Sequence, residues 1–310
     1  MSRPCRVLNL VTNPAVNTQA DFDELADAIR SLDAQVLVQV LPDSAEADTR
    51  AGALELPTVT VSPGPLRALR PRRGPVFQGQ QVAKSTEYRA LEAAGIPVPR
   101  WVRLLPGRDP DLAGFDSYVV TKPDFGARGA DVRIERSTVA RWTPPRTELA
   151  LRFGGPFNPR LAQDFVYTGP WPSSYRVMTL FGGALFALRI EASHRSAPLR
   201  ERTAFQGQSV VSSGSGCSFE LSDDAEVIAL AERAHSAFPR VPVLGADILR
   251  DADTGSLFVV EVNSLGFTWH FSSPSGLRLQ AEHGLDLPAQ FDGRRKAARI
   301  LAEVCARHAS

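Results

Sequence analysis

The sequence predicts a mixed α/β chain whose texture changes partway along. Strand and helix patterns alternate through the first eighty residues, and a Pro-, Gly- and Arg-rich stretch follows. From Lys84 onward, short helices separate strand pairs joined by tight turns. With 310 residues, 43% of them apolar and 22% charged, the chain can build two or three lobes around sizeable cores.

"RVLNLVT" is the first strand. The helix "DFDELADAIRSL" follows, with Asp21 as its cap and Glu24 three residues on, and it lines up Phe22, Leu25, Ala26, Ile29 and Leu32 on one face. "AQVLVQVLP" and "PTVTVSP" are further strands of a parallel layer, and "GPLRALRPRRGP" (64–75) is an exposed connection. "STEYRALEAAGIPVP" predicts a helix capped by Ser85 and stopped at Gly95. "DSYVVTKP" and "ADVRIE" are strands around the loop "DFGARG", and "LAQDFVY" is another strand. "YRVMTLFGGALFALRIEA" folds back on itself at its glycines, and a polar Gly/Ser stretch (206–218) comes next. A helix over about 223–238 turns Val227, Leu230, Ala231, Ala234 and Phe238 inward. "VLGADILRD" and "SLFVVEVN" form a hairpin through "ADTG". A closing helix, "DGRRKAARILAEVCARHA", carries Ala297, Ile300, Leu301, Val304 and Cys305 on one side. The stretch 144–160 has no periodic signal that assigns it, and no internal repeat is present.

Several function classes are disfavoured. No run is long enough to span a bilayer, and Val7–Val11 is too short for a signal peptide. Cys5, Cys217 and Cys305 are far apart, odd in number and without metal spacing, so a reducing cytoplasm is expected. A formal charge of +1 gives no drive toward nucleic acid or membranes. The basic residues are more informative. Of 35, only Lys84, Lys122 and Lys296 are lysines, and an arginine-favouring genome accounts for most of that imbalance. Against such a bias, each lysine marks a position where a compact ammonium serves and a wide planar fork does not. Lys296 lies on a surface helix, where no special role is needed.

Lys122 ends a strand, and Gly126 and Gly129 punctuate the loop that returns into the next. A P-loop or a dinucleotide fingerprint would open a helix, and this loop does not. A glycine loop between antiparallel strands can fold over a triphosphate with its backbone N–H groups; taken alone, it reads more readily as an ordinary turn. The hairpin near the end of the chain adds a second signal. A turn centred at Thr254 sets Asp247 directly across from Glu261, with Asn263 on the same face. Facing carboxylates repel unless a cation lies between them. Three hard oxygen donors without His or Cys suit Mg²⁺ that completes its shell with water and phosphate; a solvated sheet rim is the simpler alternative.

Lys84 before "GIPVP", then "KPDFGARG", "QDFV", "SYRV", "ADIL" and "EVN", occur in an order that resembles the ATP-grasp superfamily over roughly residues 80 to 305. The likeness is greatest to the branch holding glutathione synthetase and the ribosomal-protein glutamate ligases. It implies an ATP-grasp fold with an N-terminal α/β domain (1–80), a central subdomain with the glycine loop (81–166) and a C-terminal subdomain with the metal site (167–310). It further implies that Lys84 and Lys122 hold phosphates and that Phe125, Gly126 and Gly129 belong to the covering loop. "QDFV" would be the hinge, with Phe165 and Val166 offering backbone groups to adenine and Gln163 and Asp164 alongside. Asp247, Glu261 and Asn263 would bind magnesium, with manganese as an alternative, and Arg176, Arg189 and Arg202 would neutralise the γ-phosphate and an acyl phosphate. Two departures stand out: Leu265 replaces an expected proline before Gly266, and Ser174 replaces an acidic residue before "YRV". The implied activity is an ADP-forming ligase joining a small-molecule or peptide carboxylate to an amine. A small-molecule kinase or a non-catalytic ATP-binding protein on the same fold are the alternatives. No nucleic-acid or membrane partner is expected, and a homodimer stays open.

Overall fold

Three sheets, each built from its own stretch of sequence, organise the chain. The computed structural model describes residues 4–44, 46, 55–127, 129–193 and 216–309. The first sheet is parallel and has the order β2-β1-β3-β4, from β1 (Arg6–Thr12), β2 (Val36–Pro42), β3 (Thr58–Ser62) and β4 (Val76–Gln78). Val7 through Val11 are all buried, as a strand covered on both faces requires. Helix α1 (Gln19–Leu32) contributes Phe22, Leu25 and Ile29 to the core with Leu8 and Leu10. On the other face, Leu69 of the connection 64–75 packs with Val11 and Leu41, so this loop is anchored where exposure was expected. Strand β4, three residues long, is too short to carry a readable pattern.

The cap of α1 differs from expectation. Thr18 is the N-cap and accepts from the Asp21 backbone N–H. Asp21, in the first turn, is buried and is used at long range instead. Its carboxylate accepts from the Trp269 indole at 2.7 Å, the Ser272 hydroxyl at 2.8 Å and Arg294 at 3.1 Å. Helix α7 (Gly293–His308) brings Arg294 and packs against α1 and β1, so the last helix of the chain completes the first lobe.

The second sheet has the order β5-β8-β6-β7, from β5 (Trp101–Leu104), β6 (Tyr118–Pro123), β7 (Arg133–Arg136) and β8 (Arg160–Asp164). β6 and β7 form the expected antiparallel pair around the glycine loop, with Thr121 opposite Arg133. Helix α2 (Lys84–Ala93) has Ala83 as its N-cap and no side-chain cap. Ser85 bonds outward, from both its backbone N–H and its hydroxyl, to Asp124 at 2.8 and 2.9 Å. The unassigned stretch 144–160 contains α3 (Glu148–Gly154), capped by Thr147. Asn158 accepts from the Phe125 N–H and donates to the Phe125 carbonyl, so this stretch holds the root of the glycine loop.

The third sheet is antiparallel, in the order β11-β10-β9-β12-β13. It comprises β9 (Ser173–Leu180), β10 (Gly183–Ala192), β11 (Cys217–Leu221), β12 (Val243–Arg250) and β13 (Leu257–Asn263). β11 begins inside the expected polar stretch, most of which lies outside the described residues. Helix α4 (Ala225–His235) covers one face through Val227, Leu230, Ala231 and Ala234. After β13 the chain folds over the other face and continues into α5 (Pro274–His283) and α6 (Leu287–Gln290). A β-carbon on Gly245 would lie 2.4 Å from Thr268 Cγ2, so a bare backbone at 245 lets this segment settle on the sheet. Among the described residues, no helix is long and apolar enough to cross a membrane.

Replacing Asp21 with Ala strands the Trp269 and Ser272 donors in a buried place. The expected loss is about 2–3 kcal/mol of stability, read from urea unfolding monitored by Trp fluorescence.

Candidate active site

The site begins with the pairing of β12 and β13. Asp247 stands directly opposite Glu261 and Gly245 opposite Asn263, as the turn position predicted. The register slips by one residue just beyond, leaving Val260 as the extra residue of a bulge. Its carbonyl accepts from Lys122 Nζ and from the Tyr88 hydroxyl, both at 2.8 Å. On the other side of β12, Arg176 of β9 lies opposite Asp247. Its Nε and Nη2 reach the two Asp247 oxygens at 2.7 and 2.8 Å, and the Asn263 amide donates to Asp247 at 3.3 Å.

The second sheet and α2 close over this face. Lys84, the first residue of α2, sets Nζ 2.9 Å from Glu261 Oε1 and donates to the Gly126 carbonyl at 3.1 Å. Lys122 Nζ also meets the Tyr88 hydroxyl at 3.0 Å. Burial sets the electrostatics. It would raise the Glu261 pKa, but Lys84 and Lys122 outweigh it and hold the carboxylate below its usual range. For Lys84, burial opposes the charge, and Glu261 then Glu87 restore it to a raised pKa. Arg176 is likewise desolvated yet raised by Asp247. Lys122 faces no carboxylate directly, and burial lowers it to about 8. Glu87 is pushed up to about 8, chiefly by burial, so it carries a proton at neutral pH. Three cations therefore meet two ionised carboxylates in a desolvated place, an excess that favours an anion.

Sequence reading missed Glu87, Tyr88 and Asp124. Glu87 and Tyr88 follow Lys84 by three and four residues, the spacing that puts side chains on one helix face, and that signal could have found them. Tyr88 is fully buried and its hydroxyl also reaches Gln163 Oε1 at 2.6 Å, so it joins Lys122, Val260 and Gln163. Asp124 is visible only through its long-range partner Ser85.

No family model matches the sequence, and no curated protein is similar to it. Solved structures are similar along its length. D-cycloserine synthetase DcsG superposes with a TM-score of 0.50 at 18% identity, covering 96% of this chain and 99% of that one. The ATP-grasp ligase PsnB, complexed with a minimal precursor, Mg and ADP, does so with a TM-score of 0.52 at 14% identity, covering 96% and 98%. The chain has the ATP-grasp fold.

On this ATP-grasp scaffold, Lys84, Lys122, Arg176, Asp247, Glu261 and Asn263 meet in one cluster, and Gly126 joins it through its carbonyl. Phe125 is tied to Asn158, and Gly129 has φ +66°, a conformation glycine adopts without strain. At the end of β8, Gln163 faces Tyr88, while Asp164 is paired with Arg100 and the Asp116 N–H. The Phe165 N–H already donates to the Tyr118 carbonyl, so it is engaged within the protein. Arg189 is set apart. A plain β9–β10 hairpin would place it on the face of Arg176, but a bulge between Ala184 and Phe186 shifts the register, and Leu188 lies opposite Arg176 instead. Arg189 is on the other face, paired with Glu191 and Glu220. Arg202 lies outside the described residues. Trp269 is a packing residue, edge-on to Phe22 and bonded to Asp21. His270 stacks on Phe186 and is kept neutral by burial and then by Arg176, its pKa pushed down to about 3.

A hard oxygen set of two carboxylates and one amide fits magnesium that draws further oxygens from water and phosphate. Among the described residues, no group of three His, Cys, Asp or Glu could hold a metal unaided.

The Glu87 carboxyl keeps its proton to about pH 8 when folded, against a usual 4.5. The folded state therefore binds the extra proton between those values, and its stability falls as pH rises through that window. Lys122, lowered to about 8 from 10.5, acts above it. His235 and His270, pushed down to about 4 and about 3, act in the opposite sense below about pH 6.5. Thermal melts are therefore expected to decline for the parent from about pH 6.5 to 8 and to flatten over that range for Glu87→Gln.

Proposed function

We propose that the protein is an ATP-dependent carboxylate–amine ligase that releases ADP and phosphate. The observation that carries it is the gathering of Lys84, Lys122 and Arg176 around Asp247 and Glu261, buried or half-buried, at the meeting of two sheets in a fold of this kind. A carboxylate is a poor electrophile because its leaving group is oxide. Transfer of the γ-phosphoryl group makes an acyl phosphate that an amine can attack, so the protein's task is positioning and charge stabilisation. Asp247, Glu261 and Asn263 would hold Mg²⁺, which supplies charge neutralisation on the transferring phosphoryl group.

The residues of the chain divide the remaining work. Lys84 and Lys122 bind the phosphate chain, each already directed by a partner that fixes its ammonium: Glu261 for the first, the Val260 carbonyl for the second. Arg176 supports the developing charge from the sheet floor. Gly126 and Gly129 let the loop approach by backbone and exclude water from the acyl phosphate. Phe165 and Val166 would offer backbone groups to adenine.

The deciding experiment measures ADP release against a panel of amino acids, peptides and other carboxylates, with and without amines. Release that needs both a carboxylate and an amine supports the ligase; release with a hydroxyl compound alone makes the protein a kinase. Asp247→Ala and Glu261→Ala are each expected to lower turnover by about 10²–10³-fold while the circular dichroism spectrum is kept. Lys122→Arg is expected to lose nearly as much as Lys122→Ala, because the planar fork does not fit where a point charge does, and Lys296→Arg to lose nothing. Gly129→Val is expected to raise the KM for ATP and slow turnover together, with stability lowered by no more than the about 1–2 kcal/mol that a residue with a β-carbon costs at φ +66°.

A further inference from the structure

We propose that Lys84 and Arg176 are built-in counter-ions that keep free divalent cations out of the site, so that metal enters only together with the phosphate chain. The inference rests on the nucleotide reading of this site and concerns how its ligands arrive. The acidic groups a cation would take are already engaged. Lys84 Nζ stands 2.9 Å from Glu261 Oε1, and Arg176 spans both Asp247 oxygens at 2.7 and 2.8 Å. Asn263 donates its amide to the same carboxylate.

A bare dication would have to displace a buried ammonium or guanidinium and then remain beside it. Lys84 has the Gly126 carbonyl as its other acceptor, a neutral group that cannot replace a carboxylate. Two like charges at contact distance in a poorly solvated place repel strongly. A polyphosphate removes the conflict, because both cations can follow its oxygens and release Glu261 and Asp247 to the metal. Lys122 is placed to meet the phosphates first. It is held by the Val260 carbonyl and the Tyr88 hydroxyl, so no ion pair must break before it binds. Metal and nucleotide therefore bind with positive coupling, and linkage requires each to raise the affinity of the other by the same factor.

The test uses the whole chain and Mn²⁺, with the free ion counted by electron paramagnetic resonance, with and without a non-hydrolysable ATP analogue. Binding of the analogue at saturating Mn²⁺ is measured first by calorimetry; its absence overturns the ligase reading and this inference with it. The parent is expected to bind Mn²⁺ at least about tenfold more weakly without the analogue than with it. Lys84→Met, which frees Glu261, is expected to bind Mn²⁺ alone at least about tenfold more tightly than the parent, and Arg176→Met to gain likewise through Asp247. Equal Mn²⁺ affinity of the parent with and without the analogue overturns the proposal. So does the absence of any gain in variants that melt as the parent does.

Discussion

Asp247 and Glu261 face each other across neighbouring strands, and that juxtaposition organises much of what surrounds it. Like charges at this spacing are unfavourable, and partial burial makes them more so, because water screens them less. The structure resolves the conflict with cations drawn from three separate elements. Arg176 comes from the next strand of the same sheet, Lys84 from the start of a helix, and Lys122 from the end of a strand in another sheet. The position of the second sheet against the third is tied to this electrostatic demand. Glu87, on the same helix face as Lys84, keeps its proton because burial outweighs the pull of the neighbouring lysines.

Backbone irregularities place these groups as much as side-chain choice does. The bulge at Val260 takes one carbonyl out of the ladder and turns it to Lys122 and Tyr88. Gly245 leaves room for Thr268, and Gly266, at φ +77°, sits where a β-carbon would lie 2.4 Å from the Pro63 carbonyl. The segment after β13 therefore runs close to both the third sheet and the loop after β3. The second bulge, between Ala184 and Phe186, has the opposite effect on the site, because it turns Arg189 out of it.

Much of this was legible in the sequence, for identifiable reasons. The turn "ADTG" made the hairpin legible and brought Asp247 and Glu261 to the same stretch, but the pairs next to the turn run one residue out of step, and the Val260 bulge is what sets the two directly opposite. Scarcity of lysine singled out Lys84 and Lys122, and they lie in one cluster. What could not be read depends on pairings between distant segments or on single inserted residues. A bulge has no local signature, so nothing in the sequence showed that Arg189 lies on the face away from Arg176. Asp21 and Ser85 looked like helix caps because their local context matched; both are used by partners far along the chain. The 144–160 stretch has too few apolar residues for periodicity, and its order comes from Asn158, Asp131 and Thr147 bonding to neighbours.

The packing of α7 against α1 and β1 bears on how the protein is made. The strands of the first sheet are synthesised before part of their core, which includes Trp269, Phe271, Leu301 and Cys305. Until then Leu8, Phe22 and Leu25 lack much of their cover, and the nascent lobe presents apolar surface and unfinished strand edges. Vectorial synthesis thus separates the making of this lobe from its completion, so a chaperone that shields the lobe would act until α7 has emerged.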